Sequence, residues 1–115
     1  VIDHRLPWLA AFAYFDEVTA AGVEIWRYTA GFMHQKVILV DDTLAAVGTA
    51  NLDNRSFRLN FEAMALMFDA RAAADVEAML AADFAGAARL ERRLSEQRAG
   101  IRYGAPAARL LAPLL

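Results

Sequence analysis

Apolar residues between Leu6 and Ala21 recur at spacings of three and four residues, which predicts an amphipathic helix. The residues that set this period are Trp8, Leu9, Phe12, Phe15 and Val18. Pro7 suits the first turn of such a helix, and Gly22 suits its end. The following stretch, Val23 to Tyr28, is rich in β-branched and aromatic residues and predicts a short strand. A helix joined to a strand at a glycine is typical of an α/β protein.

The next apolar run predicts a strand from His34 to Val40. Its VILV segment is continuous rather than alternating, so the pattern predicts a strand that is buried on both faces. Residues 41–43 (DDT) predict a turn, and Leu44 to Val47 a returning strand. The polar stretch from Gly48 to Asn60 predicts a loop, and Ala63 to Phe68 a further strand.

Asp69 has the side chain expected of an N-cap, and a helical pattern follows it as far as Arg93. The predicted core face of this helix consists of Val76, Met79, Leu80, Phe84, Ala87 and Leu90. Gly100 and Gly104 predict breaks, and residues 107–111 a last short helix. The pattern therefore predicts one α/β domain over residues 1–115, with a mixed sheet of about four strands flanked by helices.

The composition excludes several kinds of site. The chain contains no cysteine, so a disulfide framework and a cysteine metal site are both excluded. Its two histidines, His4 and His34, are too few for a histidine-rich metal site, and we predict neither a metal nor a cofactor. We expect His4 to lie at a solvated chain end. No apolar run approaches the ~18 residues of a membrane span, and no segment has the pattern of a signal peptide.

The charge is unevenly distributed along the chain. Residues 1–88 carry a net charge of −6, whereas residues 89–115 carry +4, which gives the overall −2. A basic C-terminal segment fits an anionic membrane surface or nucleic acid, and it fits an ordinary solvated helix surface slightly better.

The candidate chemistry lies between positions 34 and 51. His34 and Lys36 are two residues apart, so both side chains would lie on one face of a strand. Thr49 and Asn51 repeat this spacing with two neutral hydrogen-bonding groups. A proton-transfer or nucleophilic group, a cation and neutral donors together suit a phosphate diester. Lys36 is the only lysine among the 12 cationic residues, which favours a site that needs a compact ammonium group.

A family resemblance rests on these residues. His34, Lys36 and Asp41 form the pattern H-x-K-x-x-x-x-D, and residues 48–62 read GTANLDNRSFRLNFE. Together they resemble the HKD motif of the phospholipase D superfamily, in the form found in the C-terminal half of bacterial cardiolipin synthases. The resemblance implies a phospholipase-D-like half-domain that is truncated at its N-terminal strands.

The resemblance also implies roles for individual residues. His34 matches the catalytic histidine, and the second-motif histidine of this family is usually assigned the role of general acid and base. Lys36 and Asn51 match the phosphate-binding pair, and Thr49 stands where the family has serine or threonine. Glu62 falls where the family places a carboxylate that orients the histidine ring. A carboxylate on one imidazole nitrogen fixes the tautomer and stabilises the imidazolium.

Two further features are left open by the sequence. Asp41 is part of the motif, but its parity along the strand is opposite to that of His34, which favours a structural role over contact with substrate. Arg55 and Arg58 either contact lipid phosphates or pair with Asp53 and Glu62.

The family reaction uses two histidines and no metal, and this chain supplies one motif. The second is expected in the same parent chain, or in the other subunit of a symmetric dimer. The leading hypothesis is a phosphatidyltransferase that makes cardiolipin at the bacterial inner membrane, with anionic phospholipid as substrate and nucleic acid not expected as partner. The alternatives are a hydrolytic phosphodiesterase, nuclease or phospholipase D that acts as a homodimer, and a non-catalytic half.

Overall fold

The structure is a computed structural model that describes residues 5–112. Helices and short strands are interspersed along the chain, as expected for an α/β protein. In order they are α1 (Arg5–Ala20), β1 (Trp26–Tyr28), β2 (Val37–Val40), β3 (Leu44–Gly48), α2 (Asn54–Arg58), β4 (Met64–Phe68), α3 (Ala70–Ala85), β5 (Ala87–Arg89), a 3-10 turn (Leu94–Glu96) and α4 (Ala99–Arg109).

Helix α1 confirms the helix that the apolar periodicity between Leu6 and Ala21 predicted. It contains Pro7 in its first turn and ends two residues before Gly22, whose φ of 89° favours glycine. The strand predicted after it is shorter than expected, since only Trp26–Tyr28 has strand geometry. Within residues 5–112, no helix has both the length and the apolar character needed to cross a bilayer.

The chain divides into two compact units, Tyr28–Ala87 and the remainder on either side of it. The prediction of a single domain stays a prediction. In the discontinuous unit, α1 packs on α4 through small side chains, with Ala10, Ala105 and Ala108 buried. Arg109 fixes this packing, because its guanidinium donates 2.5 Å and 3.1 Å hydrogen bonds to the Glu17 carboxylate and the Ala13 carbonyl.

Two predicted helix limits in the C-terminal third are wrong. The helix that follows Asp69 ends at Ala85 rather than continuing to Arg93, because Gly86 closes it and a short strand follows. Helix α4 begins at Ala99 and includes Gly100 and Gly104, where the sequence predicted breaks. The packing explains Gly104, since a Cβ at this position would lie 3.0 Å from a methyl group of Leu9. Its missing side chain allows the two helices to approach each other.

The continuous unit is built on an antiparallel sheet in the order β2-β3-β4. Its register places Ile38 opposite Ala46, and Ala46 opposite Leu66. Helix α3 packs on this sheet, with Ala73 of the helix and Ala45 of the central strand almost fully buried. The Asp69 carboxylate accepts a 2.9 Å hydrogen bond from the Ala72 amide, which confirms its predicted N-cap role.

The expectation that VILV would be buried on both faces is wrong. Ile38 and Val40 are 54% and 43% exposed, whereas Val37 and Leu39 are half-buried. A strand becomes buried on both faces only when layers cover both faces of its sheet. In the part of the chain that the structure describes, the face that carries Ile38 and Val40 stays largely open to solvent.

The α/β class is confirmed, with helices flanking the sheets. The strand arrangement differs from the single mixed sheet of about four strands that the sequence predicted. Three strands form the antiparallel sheet β2-β3-β4, and β1 and β5 pair separately as a two-stranded sheet. The pairing of β1 with β5 joins residues about 60 positions apart, and local periodicity does not encode such a pairing.

Candidate active site

The antiparallel register gathers the predicted site residues at one end of the β2-β3-β4 sheet. Successive antiparallel strands bring the start of β2, the end of β3 and the start of β4 to the same edge. His34 and Lys36 precede β2, Thr49 and Asn51 follow β3, and Glu62 precedes β4. Residues separated by as many as 28 positions are therefore brought to a common edge.

His34 and Lys36 do not lie in the strand that the sequence predicted for them. Strand β2 begins at Val37, and residues 32–36 have no regular structure. One hydrogen bond extends the ladder past the strand, from the Gly48 amide to the Lys36 carbonyl, at 3.0 Å. Pairing stops there because the chain leaves β3 after Gly48 and turns toward α2.

The backbone around Gly48 leaves no space for a side chain. A Cβ at this position would overlap the Ala63 carbonyl oxygen and lie 2.8 Å from the Met64 Cα. Strand β4 therefore approaches the end of β3 closely, and this approach brings Thr49 within reach of the residues that precede β4.

His34 lies on the surface, stacked against an aromatic ring. The Phe32 and His34 rings are 5.5 Å apart between centroids and inclined by 20°. Next to them, the Lys36 ammonium donates a 2.8 Å hydrogen bond to the His34 carbonyl. This bond holds the cation close to the backbone of the histidine and leaves the ammonium two further donors.

Thr49 and Glu62 form the closest polar contact of the site. The Thr49 hydroxyl lies 2.5 Å from a Glu62 carboxylate oxygen. An ionised carboxylate only accepts hydrogen bonds, so the hydroxyl donates its proton here. The same hydroxyl oxygen accepts a 3.0 Å bond from the Ala63 amide. In this arrangement Thr49 ties Glu62 to the end of the sheet.

Several donors stabilise the charged form of Glu62. The Thr49 hydroxyl lowers the pKa of the Glu62 carboxyl most, followed by the Ser56 hydroxyl, with smaller contributions from the Asn60 amide and the Lys36 charge. Partial burial opposes them by raising this pKa, and the net shift is downward from 4.5. The site therefore holds a carboxylate and an ammonium of opposite charge beside a histidine.

Ser56 and Asn60 belong to the site, although the sequence did not single them out. The Ser56 hydroxyl accepts a 3.1 Å hydrogen bond from the backbone N–H of Asn51, and the Asn60 side-chain amide donates a 3.3 Å bond to the Glu62 carboxylate. The stretch predicted as a loop contains the short helix α2, whose N-cap Asp53 accepts a 2.7 Å bond from the Ser56 amide. The signal available in the sequence was Asp53 itself, a residue that favours helix N-termini.

Asp41 lies at the opposite end of β2 from His34, in the turn that leads to β3. Its backbone φ of 50° lies in the left-handed region, which aspartate tolerates better than most residues. This position agrees with a structural part in the turn, and the role of Asp41 in the motif stays a prediction.

Arg55 and Arg58 both lie on α2, and the side chains of both are exposed. Within residues 5–112, no group of three or more histidine, aspartate or glutamate side chains is arranged to hold a metal ion.

Comparison with known proteins identifies the family. The family described as "Cardiolipin synthase, PLD-like domain" matches residues 2–84, which is more than half of the chain. The chain belongs to this family. Its description names a phospholipase-D-like domain, so the resemblance to the phospholipase D superfamily that the HKD pattern indicated is confirmed.

The chain is also similar to curated members of the family over nearly its whole length. It is 48% identical over 114 residues to cardiolipin synthase A of Pseudomonas fluorescens strain Pf-5, which covers 98% of this chain and 24% of the relative. It is 51% identical over 115 residues to cardiolipin synthase A of Pseudomonas aeruginosa strain LESB58, which covers 98% of this chain and 23% of the relative. The chain therefore spans about a quarter of the length of these relatives. No solved structure gives a significant match to it.

The contact between Thr49 and Glu62 predicts a pKa change that can be measured. We expect Thr49→Val to raise the pKa of Glu62, because the substitution removes the donor that stabilises its carboxylate most. Thr49→Ser keeps the hydroxyl and should leave this pKa nearly unchanged. The measurement is a ¹³C NMR titration of the Glu62 carboxyl in full-length protein, assigned by its loss in Glu62→Gln.

The lowered pKa of Glu62 also determines how this residue makes the stability of the folded protein depend on pH. Because the pKa of Glu62 is lower in the folded protein, its stabilising contribution is present above about pH 4.5 and is lost as the pH falls through the lowered value. In Thr49→Val this dependence should be weaker. An unchanged Glu62 titration in Thr49→Val would contradict the contact.

Proposed function

We propose that this chain forms one half of a phosphatidyltransferase that makes cardiolipin. In this reaction one phosphatidylglycerol donates its phosphatidyl group to a second phosphatidylglycerol, and glycerol is released. The observation that carries the proposal is the convergence of His34, Lys36, Asn51 and Glu62 on one sheet edge in a chain of the cardiolipin synthase family.

The proposed mechanism has two displacements and needs two histidines. In the first, an imidazole nitrogen attacks phosphorus, a P–N bond forms, and the P–O bond to glycerol breaks. The other histidine gives its proton to the departing glycerol oxygen. In the second, the hydroxyl of another phosphatidylglycerol attacks the phosphohistidine, the P–N bond breaks, and the hydroxyl proton returns to the histidine that acted as acid.

We assign the acid and base role to His34, with the attacking histidine supplied by a second HKD motif. The exposed position of His34 leaves its ring open to a substrate and to such a second motif. The same parent chain is the favoured source of that motif, and a symmetric dimer is the alternative. The length of the relatives supports the first source, because about three quarters of each lies outside the matched region.

Lys36 and Asn51 are proposed to balance the charge on the phosphoryl oxygens. The Lys36 ammonium has one donor committed to the His34 carbonyl, so its remaining protons are available for a phosphate. Thr49 is proposed as a further phosphate contact, although its proton goes to Glu62 in the structure and would have to be redirected. Such preorganised donors contribute most when charge develops in the transition state.

Glu62 is proposed to orient the imidazole of His34. A carboxylate offers about four acceptor positions, and the bonds from Thr49, Ser56 and Asn60 leave one for an N–H of the histidine. Its lowered pKa supports this role, because an orienting carboxylate must stay ionised while the imidazole gains and loses a proton.

The substrate chemistry places the proposed enzyme at a membrane. Phosphatidylglycerol is an anionic lipid, so the parent protein is proposed to act at the inner membrane of a bacterium. Arg55 and Arg58 are exposed on α2, next to the site in sequence, and their charge suits an anionic headgroup.

The test is product analysis with the full-length protein in vesicles that contain phosphatidylglycerol. We expect one glycerol for each cardiolipin formed, with glycerol followed by a coupled assay and cardiolipin by mass spectrometry. Phosphatidic acid and glycerol without cardiolipin would show that water is the acceptor, and the hydrolytic alternative would replace the proposal. A chain that binds these vesicles without any product would instead support a non-catalytic half.

A further inference from the structure

The segment that carries the motif histidine is held at both ends by the C-terminal end of α3. Residues 30–36 have no regular structure, so no strand ladder fixes the position of His34. At one end, the Thr29 amide and hydroxyl donate 3.1 Å and 2.9 Å hydrogen bonds to the Gly86 carbonyl. At the other end, the Gln35 side-chain amide donates a 2.8 Å bond to the Asp83 carboxylate.

Gln35 occupies the middle position of the H-x-K pattern, between the two residues assigned to the chemistry. Its side chain is hydrogen-bonded to Asp83 of α3. The residue between His34 and Lys36 therefore links this part of the segment to the helix. The only other bonds that fix this end of the segment are the Gly48–Lys36 backbone bond and the tether from Lys36 to the His34 carbonyl, among residues 5–112. Gln35 therefore connects a helix to the reacting pair.

Asp83 lies in the last turn of α3, where a negatively charged side chain does not stabilise a helix. The last turn of α3 contains Asp83 and no basic residue, although the negative end of the helix dipole lies there. The Asp83 carboxylate does not stabilise the helix, but it accepts a hydrogen bond from Gln35, 48 positions away in the sequence.

We propose that Asp83 is a positioning residue for His34 and Lys36 and acts through Gln35. The inference rests on the proposed function, since it assigns the task of Asp83 within that same site. Asp83 does not touch the substrate. It fixes the path of the backbone at Gln35 and thereby sets where the imidazole and the ammonium meet the phosphate.

The test compares variants of the full-length protein in phosphatidylglycerol vesicles. We expect Asp83→Ala and Gln35→Ala each to lower kcat about 10- to 100-fold, the scale expected when reacting groups are displaced by a fraction of an ångström to one ångström. KM should change little, because the displaced groups act on the reacting phosphate. Asp83→Asn keeps an acceptor oxygen for Gln35 and should restore most of kcat.

Two further comparisons separate positioning from folding. Asp75 is an exposed carboxylate on the same helix, and Asp75→Ala should leave kcat unchanged. The double variant Gln35→Ala/Asp83→Ala should lose no more than either single variant, because both remove the same bond. Additive losses would overturn the proposal. So would an Asp83→Ala protein with a lower melting temperature but an unchanged kcat for each folded molecule.

Glycerol release keeps this test separate from that of the proposed function. Transfer and hydrolysis both release glycerol from phosphatidylglycerol, so the effect of Asp83 on kcat can be read whichever acceptor is used. Absence of cardiolipin would overturn the proposed function alone. A wild-type rate of glycerol release in Asp83→Ala would overturn the positioning role alone.

Discussion

Replacement of His34 by alanine should abolish phosphatidyl transfer in the full-length protein. The proposed mechanism passes every proton of the leaving and attacking hydroxyl groups through this imidazole, and its ring is exposed beside Lys36. Loss of such a group typically lowers kcat by 10²- to 10⁴-fold, and we expect a fall of about 10³-fold. Glycerol release and cardiolipin formation should fall together, since both steps need the same proton carrier.

The other histidine of the chain provides a control. His4 lies outside the described residues and is predicted to have no role, so His4→Ala should keep the wild-type rate. His34→Ala is expected to fold normally, because the His34 side chain is exposed and its ring stacks on Phe32, which is itself exposed. A His34→Ala protein that still makes cardiolipin at more than a tenth of the wild-type rate would remove His34 from the mechanism.

The second large effect is expected at Lys36, even when its charge is kept. We expect Lys36→Arg to lower kcat about 100-fold, close to the effect of Lys36→Met, which also removes the charge. The Lys36 ammonium donates a 2.8 Å hydrogen bond to the His34 carbonyl, and a planar, wider guanidinium would not fit this short hydrogen bond well. Product formation in vesicles measures both variants.

Arg71 offers a matched exchange in the opposite direction. It is an exposed cation on α3, and Arg71→Lys should leave the rate unchanged. If Lys36→Arg retained full activity while Lys36→Met lost it, the site would need only a positive charge. The inference drawn from this single lysine among 12 cationic residues would then be wrong.

The sequence was sufficient to predict the elements whose patterns are local. The periodicity of α1, the N-cap at Asp69 and the turn at residues 41–43 each depend on neighbours within a few positions, and all three are present. Local signals failed at Gly100 and Gly104, since a helix tolerates glycine where a neighbouring helix packs against it. The exposure of Ile38 and Val40 could not be predicted from local sequence either, because the burial of a strand depends on which elements cover its sheet.

The candidate site residues were predicted from the sequence through the motif from His34 to Glu62, and their roles stay predictions. Their arrangement was decided only by the tertiary structure. Antiparallel pairing of β2, β3 and β4 brings these residues to one edge, and it leaves Asp41 at the other. The hydrogen bonds of Thr49 to Glu62 and of Gln35 to Asp83 join residues 13 and 48 positions apart. No periodic pattern encodes such bonds, because they form only after the strands have paired and the helix has packed on them.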